Sequence, residues 1–425
     1  MKQAIHVVPT DTLHDTSENM KYIIITSYAV IFLIISFLLN SPKEIMEGLK
    51  QIVQSPSILL TDYFHIGNIG ATFFNSSILM LSGIALAFIN KAHMNGTLIA
   101  ALFTVGGFAF FGKNIYNSYA IMAGVYIYSR IVKEKYSKFI LIAFFGTALG
   151  PLVSQLTFGA EKTGILHILT GNLAGLIVGI VLPPLAGHFV KFHQGFNLYN
   201  VGFTCGMIGT FAMSFIHAFG EKHPLVSFLS SGNNKGMGII FLLIFTSMIL
   251  IGFLLNNKSF RNFIRLFRHS GRLVEDFVIM DGFPIAMLNM GTLGLLLTLF
   301  ILLVGGQLNG PVIGGILTVV GFGAFGKHPK NIAPVVVGVL IGALFQGLEV
   351  NTTSVLVTTL FSTTLAPIAG RFGWLAGITA GFLHLIFVVN LGPLHGGMNL
   401  YNNGFSGGFV AATLVPLIEA FKKEK

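Results

Sequence analysis

The sequence predicts an all-α integral membrane protein made of two inverted-topology helical repeats with broken or re-entrant helices. Three observations lead to this fold class: an apolar composition, an internal duplication, and an unequal distribution of basic residues between matching loops. Of the 425 residues, 53% are hydrophobic and only 9% are charged, and the mean hydropathy is +0.80. Because soluble domains have roughly 25% charged residues, this composition excludes a soluble globular protein.

Long apolar stretches supply the predicted membrane-spanning helices. The stretches "YIIITSYAVIFLIISFLL" (22–39) and "GIIFLLIFTSMILIGFLL" (238–255) are each long enough to cross a bilayer as a helix. About fourteen apolar segments occur in all, several of them short and rich in glycine. The first follows a polar stretch of about twenty residues and has no small-residue cleavage site, so we expect a span and not a signal peptide.

Two features of the composition limit the class of function. The single cysteine, Cys205, excludes an intramolecular disulfide and a cysteine-built metal site. The net charge of +10 is assigned to cytoplasmic loops that face anionic lipid and not to a nucleic-acid partner. Because the sequence contains no P-loop, no HExxH run and no nucleophile elbow, we expect neither an enzyme nor a bound cofactor.

The chain contains an internal duplication. Residues 95–117 ("NGTLIAALFTVGGFAFFGKNIYN") align without a gap with residues 309–331 ("NGPVIGGILTVVGFGAFGKHPKN"), and 11 of 23 residues are identical. The same offset of 214 pairs Asp62 with Asp276 and Asn75 with Asn289, and an offset of 202 pairs two later "NLYN" motifs. The predicted domains are a tail (1–21), a first repeat (22–220), an external loop (221–237), a second repeat (238–420) and a second tail (421–425).

Basic residues predict the relative orientation of the two repeats, because Lys and Arg accumulate on the cytoplasmic side. Residues 130–138 carry four basic residues, whereas the matching residues 345–354 carry none. Residues 258–272 carry five, whereas the matching residues 43–55 carry two lysines against two glutamates. Matching loops are therefore expected on opposite sides of a bacterial inner membrane, with both termini in the cytoplasm.

Glycine-rich breaks followed by lysine predict a site between the repeats, where transporters with inverted repeats bind their substrates. Lys113 and Asn117 follow the first break, and Lys327 and Asn331 follow the second. A lysine within hydrocarbon costs roughly 2.5–3.5 kcal/mol, so such a residue is a functional candidate. The alternative is that each lysine lies at a helix end and extends to the lipid headgroups.

The duplicated motif reads "HQGFNLYNVGF" (193–203) and "HGGMNLYNNGF" (395–405). On a helix, asparagines three apart share a face, and paired amides suit a neutral polar solute or a partly dehydrated ion. The tyrosines could stack on a planar group or close a pore, and the preceding histidines are more typical of hydrogen-bonded helix ends. The alternative is that the amides bond neighbouring helices. The candidate substrate and pore residues are Asn75, Lys113, Asn117, His193, Asn197, Tyr199, Asn200, Asn289, Lys327, Asn331, His395, Asn399, Tyr401 and Asn402.

Residues 70–88 ("GATFFNSSILMLSGIALAF") and 111–127 ("FGKNIYNSYAIMAGVYI") resemble the urea-transporter pattern. That family has a G-x-x-x-Y-N-x-x-L-x-G helix and a later L-P-x-x-T-x-P-F motif. The resemblance implies inverted five-helix repeats around a continuous pore, usually in an oligomer. Phe74 stands where the family has tyrosine, and the threonine–proline pair is absent near Asn117. The whole chain also resembles an uncharacterised family of duplicated bacterial polytopic membrane proteins.

These observations predict a transporter or channel that passes a small polar solute or small anion through a pore at the repeat interface. The lysines favour an anion. The expected partners are the lipid bilayer, the solute and further copies of the chain in a homo-oligomer. A flavin- or quinone-linked redox subunit is the alternative, because membrane subunits of sodium-pumping redox complexes resemble the same fold. A non-transporting membrane scaffold is a third possibility.

Overall fold

The computed structural model describes residues 16–58, 60–159, 163–218 and 227–422. Within these ranges all regular secondary structure is helical, and the only β-type pairings are the isolated bridges Thr61–Phe228 and Asp62–Phe111. Of the predicted tails (1–21 and 421–425), residues 1–15 and 423–425 lie outside the described residues, whereas the first described helix begins at Glu18 and the last ends at Lys422. Residues 219–226, which include part of the predicted external loop, also lie outside.

Ten α-helices and two 3₁₀ turns (Tyr136–Lys138 and Thr147–Leu149) form the first half of the described chain. The helices are α1 (Glu18–Leu39), α2 (Pro42–Gln54), α3 (Tyr63–Ile66), α4 (Ile69–Ile89), α5 (Gly96–Phe108), α6 (Tyr119–Ile131), α7 (Ile140–Gly146), α8 (Gly150–Phe158), α9 (Ile165–Phe189) and α10 (Asn200–Ala218).

Eleven α-helices and one 3₁₀ turn (Thr363–Leu365) form the second half of the described chain. The helices are α11 (Asn234–Leu255), α12 (Phe263–Leu266), α13 (Phe277–Met280), α14 (Phe283–Leu303), α15 (Gly310–Phe322), α16 (Pro329–Phe345), α17 (Thr353–Ser362), α18 (Ala366–Phe372), α19 (Trp374–Val388), α20 (Gly392–His395) and α21 (Asn402–Lys422).

Nine segments of the described residues are long and apolar enough to cross a membrane, which indicates a multi-pass membrane protein. Two of them are formed by consecutive helices, α7 with α8 and α17 with α18. Four further apolar helices, α5, α15, α16 and α19, are shorter. The α5 and α15 helices have 13 residues each, about 20 Å at 1.5 Å per residue, which is less than the hydrocarbon thickness of about 30 Å. The two short helices thus end within the predicted glycine-rich stretches, at Phe108 and Phe322.

Local sequence explains where the helices begin. Ser41 accepts a hydrogen bond from Glu44 N (3.4 Å) while the Glu44 carboxylate accepts one from Ser41 N (2.8 Å), and Pro42 occupies the first turn of α2. The side chain of Asn68 accepts from Ala71 N at the start of α4 (2.8 Å). Each interaction satisfies a backbone amide that the helix itself leaves unpaired.

Helix packing repeats between the two halves. The α1 and α4 helices pack together as α11 and α14 do, and α6 packs on α9 as α16 packs on α19. The two short helices, α5 and α15, pack on each other at the centre. A Cβ atom at Gly107 would lie 2.7 Å from the carbonyl oxygen of Gly314, and one at Gly314 would lie 2.4 Å from that of Gly107. Only glycine allows the two backbones to approach so closely.

The N-terminus of each short helix is capped by an aspartate from the other half. Asp276 accepts from Gly96 N (3.1 Å) and Thr97 N (3.3 Å) at the start of α5, and Asp62 accepts from Gly310 N (3.1 Å) at the start of α15. A carboxylate is favourable there because the helix N-terminus carries partial positive charge and unpaired amides. These two carboxylates therefore link the halves by reciprocal contacts.

Candidate functional site

The two breaks between short helices are held by matching asparagines. Asn75 Nδ2 donates to the carbonyl oxygens of Ala109 (2.8 Å) and Lys113 (2.9 Å). Asn289 Nδ2 donates to those of Gly323 (2.7 Å) and Lys327 (2.7 Å). Non-helical backbone at membrane depth needs such partners. The structure therefore places Asn75 and Asn289 on the backbone of the breaks.

Asn117 and Asn331 also support the breaks. Asn117 Nδ2 donates to Gly112 O (3.0 Å) and Ser154 Oγ (2.9 Å), and Asn331 Nδ2 donates to Gly326 O (2.9 Å). All four asparagines predicted around the breaks thus bond backbone carbonyls.

Lys113 and Lys327 both point into the protein interior. Each side chain has 0% exposure. The ammonium of Lys113 lies 5.1 Å from the ring centroid of Phe108, and that of Lys327 lies 4.9 Å from the ring centroid of Phe322. Lysines that extend to the lipid headgroups keep their ammonium groups in water. The complete burial of Lys113 and Lys327 therefore does not agree with that alternative.

The hydrogen bonding of the two lysines differs. Lys327 Nζ donates to Tyr199 Oη (2.6 Å) and Thr363 Oγ1 (2.7 Å), and it also lies 4.4 Å from the centroid of the Tyr199 ring. Lys113 Nζ has no hydrogen-bond partner among the described residues. Neither ammonium forms an ion pair with a carboxylate in the described part of the chain.

A row of four aromatic rings connects the two lysine positions. Tyr199 and Tyr401 lie 4.9 Å apart between ring centroids. Tyr401 lies 4.7 Å from Phe108, and Tyr199 lies 4.7 Å from Phe322. Each tyrosine thus packs on the phenylalanine of the opposite half. We call Lys113, Lys327 and these four rings the central cluster.

The two NLYN motifs enter the central cluster as irregular backbone and not as helix. The α10 and α21 helices begin only at Asn200 and Asn402, so Asn197 and Asn399 precede them. Asn197 Oδ1 accepts from Tyr199 N (3.2 Å), and Asn399 Oδ1 accepts from Tyr401 N (3.0 Å). These local side-chain bonds compete with helix formation, which explains why the expected shared helical face is not formed.

Each motif also binds the opposite half through its backbone. Leu198 N donates to Thr364 O (3.1 Å), and Leu400 N donates to Ala148 O (3.1 Å). Ala148 and Thr364 belong to the 3₁₀ turns that interrupt α7–α8 and α17–α18. The motifs therefore occupy kinks in the helices of the other half.

The histidines of the motifs bond the asparagines seven residues later. His193 Nε2 lies 3.0 Å from Asn200 Oδ1, and His395 Nδ1 lies 2.7 Å from Asn402 Oδ1. These pairs lie at the starts of α10 and α21. Their geometry agrees with the prediction that the two histidines are hydrogen-bonded residues at helix ends.

A cavity of about 220 Å³ reaches the second motif. Its polar lining consists of Ser227, Ser354, Thr358, Asn402 and Asn403. Asn403 Oδ1 in turn lies 2.9 Å from Nε2 of the buried His384. Asn402 is thus a predicted site residue that lies on a cavity wall.

Sequence reasoning missed several residues of the site. It paired Asp62 with Asp276 but assigned them no role, and it did not single out Thr363, Phe108 or Phe322. A signal existed for Thr363, because "FGTALGP" (145–151) aligns with "FSTTLAP" (361–367) and pairs Thr147 with Thr363. The contact between the Thr363 hydroxyl and Lys327 depends on tertiary packing, which this sequence alignment does not specify.

A family model described as "Protein of unknown function (DUF1576)" matches residues 41–218 and 255–420. The two matched ranges cover most of the chain, and each contains one copy of the duplicated region. No curated protein and no solved structure matches the chain. The predicted uncharacterised, duplicated family is thereby confirmed, whereas the resemblance to urea transporters stays a prediction.

Proposed function

The chain belongs to the DUF1576 family, and from its geometry we propose that it is a transporter that carries a small anion or small polar solute across the membrane. The solute would bind at the interface of two inverted repeats, in the central cluster. One observation carries the proposal: two buried lysines follow matching helix breaks and contact the aromatic rings at the centre. Ionisable side chains at membrane depth are costly and are typical of substrate pathways.

The inverted arrangement is supported by the helix count and by the charge distribution. Five membrane-length segments lie in the described first half, from α1 to α10. Because an odd number of crossings ends on the opposite side of the membrane, the second half would begin there and have the inverted orientation. The basic residues at 130–138 and 258–272 would then both lie in the cytoplasm, as positive charge favours.

The packing of the central cluster favours a carrier over an open channel. Neighbouring rings in the row are separated by 4.7–4.9 Å, which is van der Waals contact for aromatic side chains. A solute could pass only if the two halves move relative to each other, as in alternating access. The cavity at Asn402 would be the entrance on one side.

Uptake into proteoliposomes tests the proposal. Purified full-length protein would be screened with formate, acetate, nitrate and chloride as anions and with urea and glycerol as neutral solutes. We expect saturable uptake of at least one anion, and we expect the double variant K113M/K327M to lose it. Methionine keeps most of the side-chain bulk but removes the positive charge.

The matched control is K43M/K50M, which removes two exposed lysines from α2 and should transport normally. Wild-type vesicles that accumulate none of these solutes would contradict the proposal. Normal anion uptake by K113M/K327M would exclude the lysines from the pathway.

A further inference from the structure

Three buried polar groups around Lys113 are without hydrogen-bond partners, whereas their repeat equivalents are all bonded. The three are Lys113 Nζ, Tyr401 Oη and Asn399 Nδ2, and within the described chain none has a partner. The residues that carry them have 0%, 1% and 0% exposure. Buried polar groups are nearly always satisfied, so three in one region point to a ligand.

The equivalent groups of the other half are Lys327 Nζ, Tyr199 Oη and Asn197 Nδ2. Lys327 donates to Tyr199 Oη (2.6 Å), and Asn197 Nδ2 donates to Gly404 O (2.9 Å). Each group of this set therefore has a partner within the described chain.

One sequence difference and one difference in contacts separate the two sets. Thr364, which donates to Asn197 Oδ1 (2.5 Å), is matched by Ala148, which has no hydroxyl. The matching residues Thr147 and Thr363 both donate to the carbonyl oxygen three residues earlier, that of Phe144 (2.6 Å) and that of Leu360 (2.5 Å). In the described chain only Thr363 also accepts from its lysine.

The residues that carry the three unpartnered groups lie on adjacent segments at the central cluster. The Phe108 ring lies beside both the Lys113 ammonium (5.1 Å) and the Tyr401 ring (4.7 Å). A Cβ atom at Gly112 would lie 2.4 Å from a methyl carbon of Leu400, so the segments that carry Lys113 and Asn399 are adjacent. Thr104 also lies near the Tyr401 phenol, but the two hydroxyls do not meet hydrogen-bond geometry in the described chain, and Thr104 donates to Ala100 O (2.7 Å).

We propose that a compact monoanion binds between Lys113, Tyr401 and Asn399, and that this set, and not its Lys327 counterpart, is the anion site of the proposed transporter. An ammonium, a phenol and an amide NH₂ can all donate, so they match a ligand with acceptors only. The anion also supplies the counter-charge that Lys113 lacks in the described chain. The proposal rests on the proposed function and deepens it by naming the solute class and the residues that bind it.

Thermal unfolding of the purified full-length protein in detergent tests the site without transport. Sodium nitrate and sodium formate are titrated against sodium gluconate of equal ionic strength, because gluconate is too large for the packed site. We expect nitrate or formate to raise the melting temperature saturably. K113M should weaken that apparent affinity by about 30-fold or more, as loss of one charged partner does. Y401F keeps the ring and should weaken it by about 2- to 10-fold.

The repeat-related variants K327M and Y199F are the matched controls. They remove bonded groups, so they should lower the melting temperature itself and weaken the apparent anion affinity by much less than K113M and Y401F do. The proposal is overturned if K327M and Y199F weaken binding as much as K113M and Y401F. It is also overturned if wild type shows no anion-specific shift, in which case water alone satisfies the three groups.

Binding and uptake separate this inference from the proposed function. If nitrate or formate binds through Lys113 but no solute enters proteoliposomes, the proposed anion site is supported and the proposed transport function is wrong. If anions are transported and K113M binds them normally, the proposed transport function is supported and the proposed anion site is wrong.

Discussion

Lys113 and Lys327 occupy matching positions in the two halves, but their surroundings differ. Lys327 donates to two hydroxyls, whereas Lys113 has no partner among the described residues. The backbone around them does not differ in this way, because Asn75 and Asn289 make the same pair of bonds to the two breaks. The halves thus share the bonds that build the scaffold and differ in the side-chain bonds at its centre.

A second difference shows how one residue changes such a bond. Asn75 Oδ1 accepts from Ile115 N (3.2 Å). The residue matching Ile115 is Pro329, which has no N–H. Asn289 Oδ1 is accordingly without a donor in the described part of the chain. The proline begins α16 and removes one bond from the second break without changing its backbone support.

The largest expected effect concerns the orientation of the matching loops. In a C205S background, the variants E134C and E349C place single cysteines at exposed positions in residues 130–138 and 345–354. If the repeats are inverted, a membrane-impermeant maleimide added to intact cells should label position 349 and not 134. Permeabilised cells provide the control, because both cysteines should then react. Equal labelling of both positions in intact cells would show that the matching loops lie on the same side of the membrane, so that the two halves are parallel.

The next largest effect concerns the shared scaffold. Asp62 accepts hydrogen bonds from Phe64 N, Gly310 N and Ser230, and Asp276 accepts from Gly96 N, Thr97 N and Val278 N. We expect D62A and D276A each to lower the free energy of unfolding by about 2–4 kcal/mol. Unfolding in detergent measures both, with D62N and D276N as milder variants. Strongly unequal losses would show that only one aspartate cap is structural.

The third prediction compares the two lysines directly, in gluconate buffer without small anions. K327M should lower the free energy of unfolding by about 1–3 kcal/mol, because Tyr199 and Thr363 lose a buried partner. K113M should leave it unchanged or raise it by up to about 2 kcal/mol, because an uncompensated buried ammonium is removed. The same unfolding assay measures both variants. Equal losses would mean that Lys113 has a stabilising partner after all.

Much of the scaffold was predictable because its signals are local. Apolar runs of 18 residues or more predicted the long helices, and glycines followed by lysine predicted the ends of α5 and α15. The alignment of residues 95–117 with 309–331 predicted that the breaks correspond. Each of these features depends on neighbouring residues or on a simple comparison of the chain with itself.

The details of the site were less predictable because they depend on contacts between distant residues. Lys327 and Tyr199 are 128 positions apart, and Asp62 and Gly310 are 248 apart. Nothing in the spacing of the NLYN motifs indicates that Asn197 and Asn399 bond local backbone and delay the helix start. Identical residue types at matching positions, such as Lys113 and Lys327, can therefore have opposite hydrogen-bonding states.

The smallest expected effect lies in a loop where only one half carries a histidine–aspartate pair. His269 Nε2 lies 2.8 Å from Asp281 Oδ2, whereas the matching first-half residues are Ser55 and Gly67. The hydrogen bond to Asp281 raises the pKa of His269, and the nearby Glu275 adds to this effect. A raised folded-state pKa means that the pair stabilises the protein fully below the ordinary histidine pKa of about 6.5. That stability is lost as the pH rises through the folded-state pKa.

The pair is partly exposed, so H269Q should lower the free energy of unfolding by about 1 kcal/mol or less at pH 5.5, and the difference from wild type should shrink toward pH 9. Thermal unfolding across this pH range measures it. H93Q, which replaces an exposed histidine of the first half, should leave the pH profile unchanged. A constant difference between H269Q and wild type at all pH values would mean that His269 contributes through packing on Phe277 and not through its charge. In that case the two loops would differ only in their packing, and the loop of the second half would make no pH-dependent contribution to the free energy of unfolding.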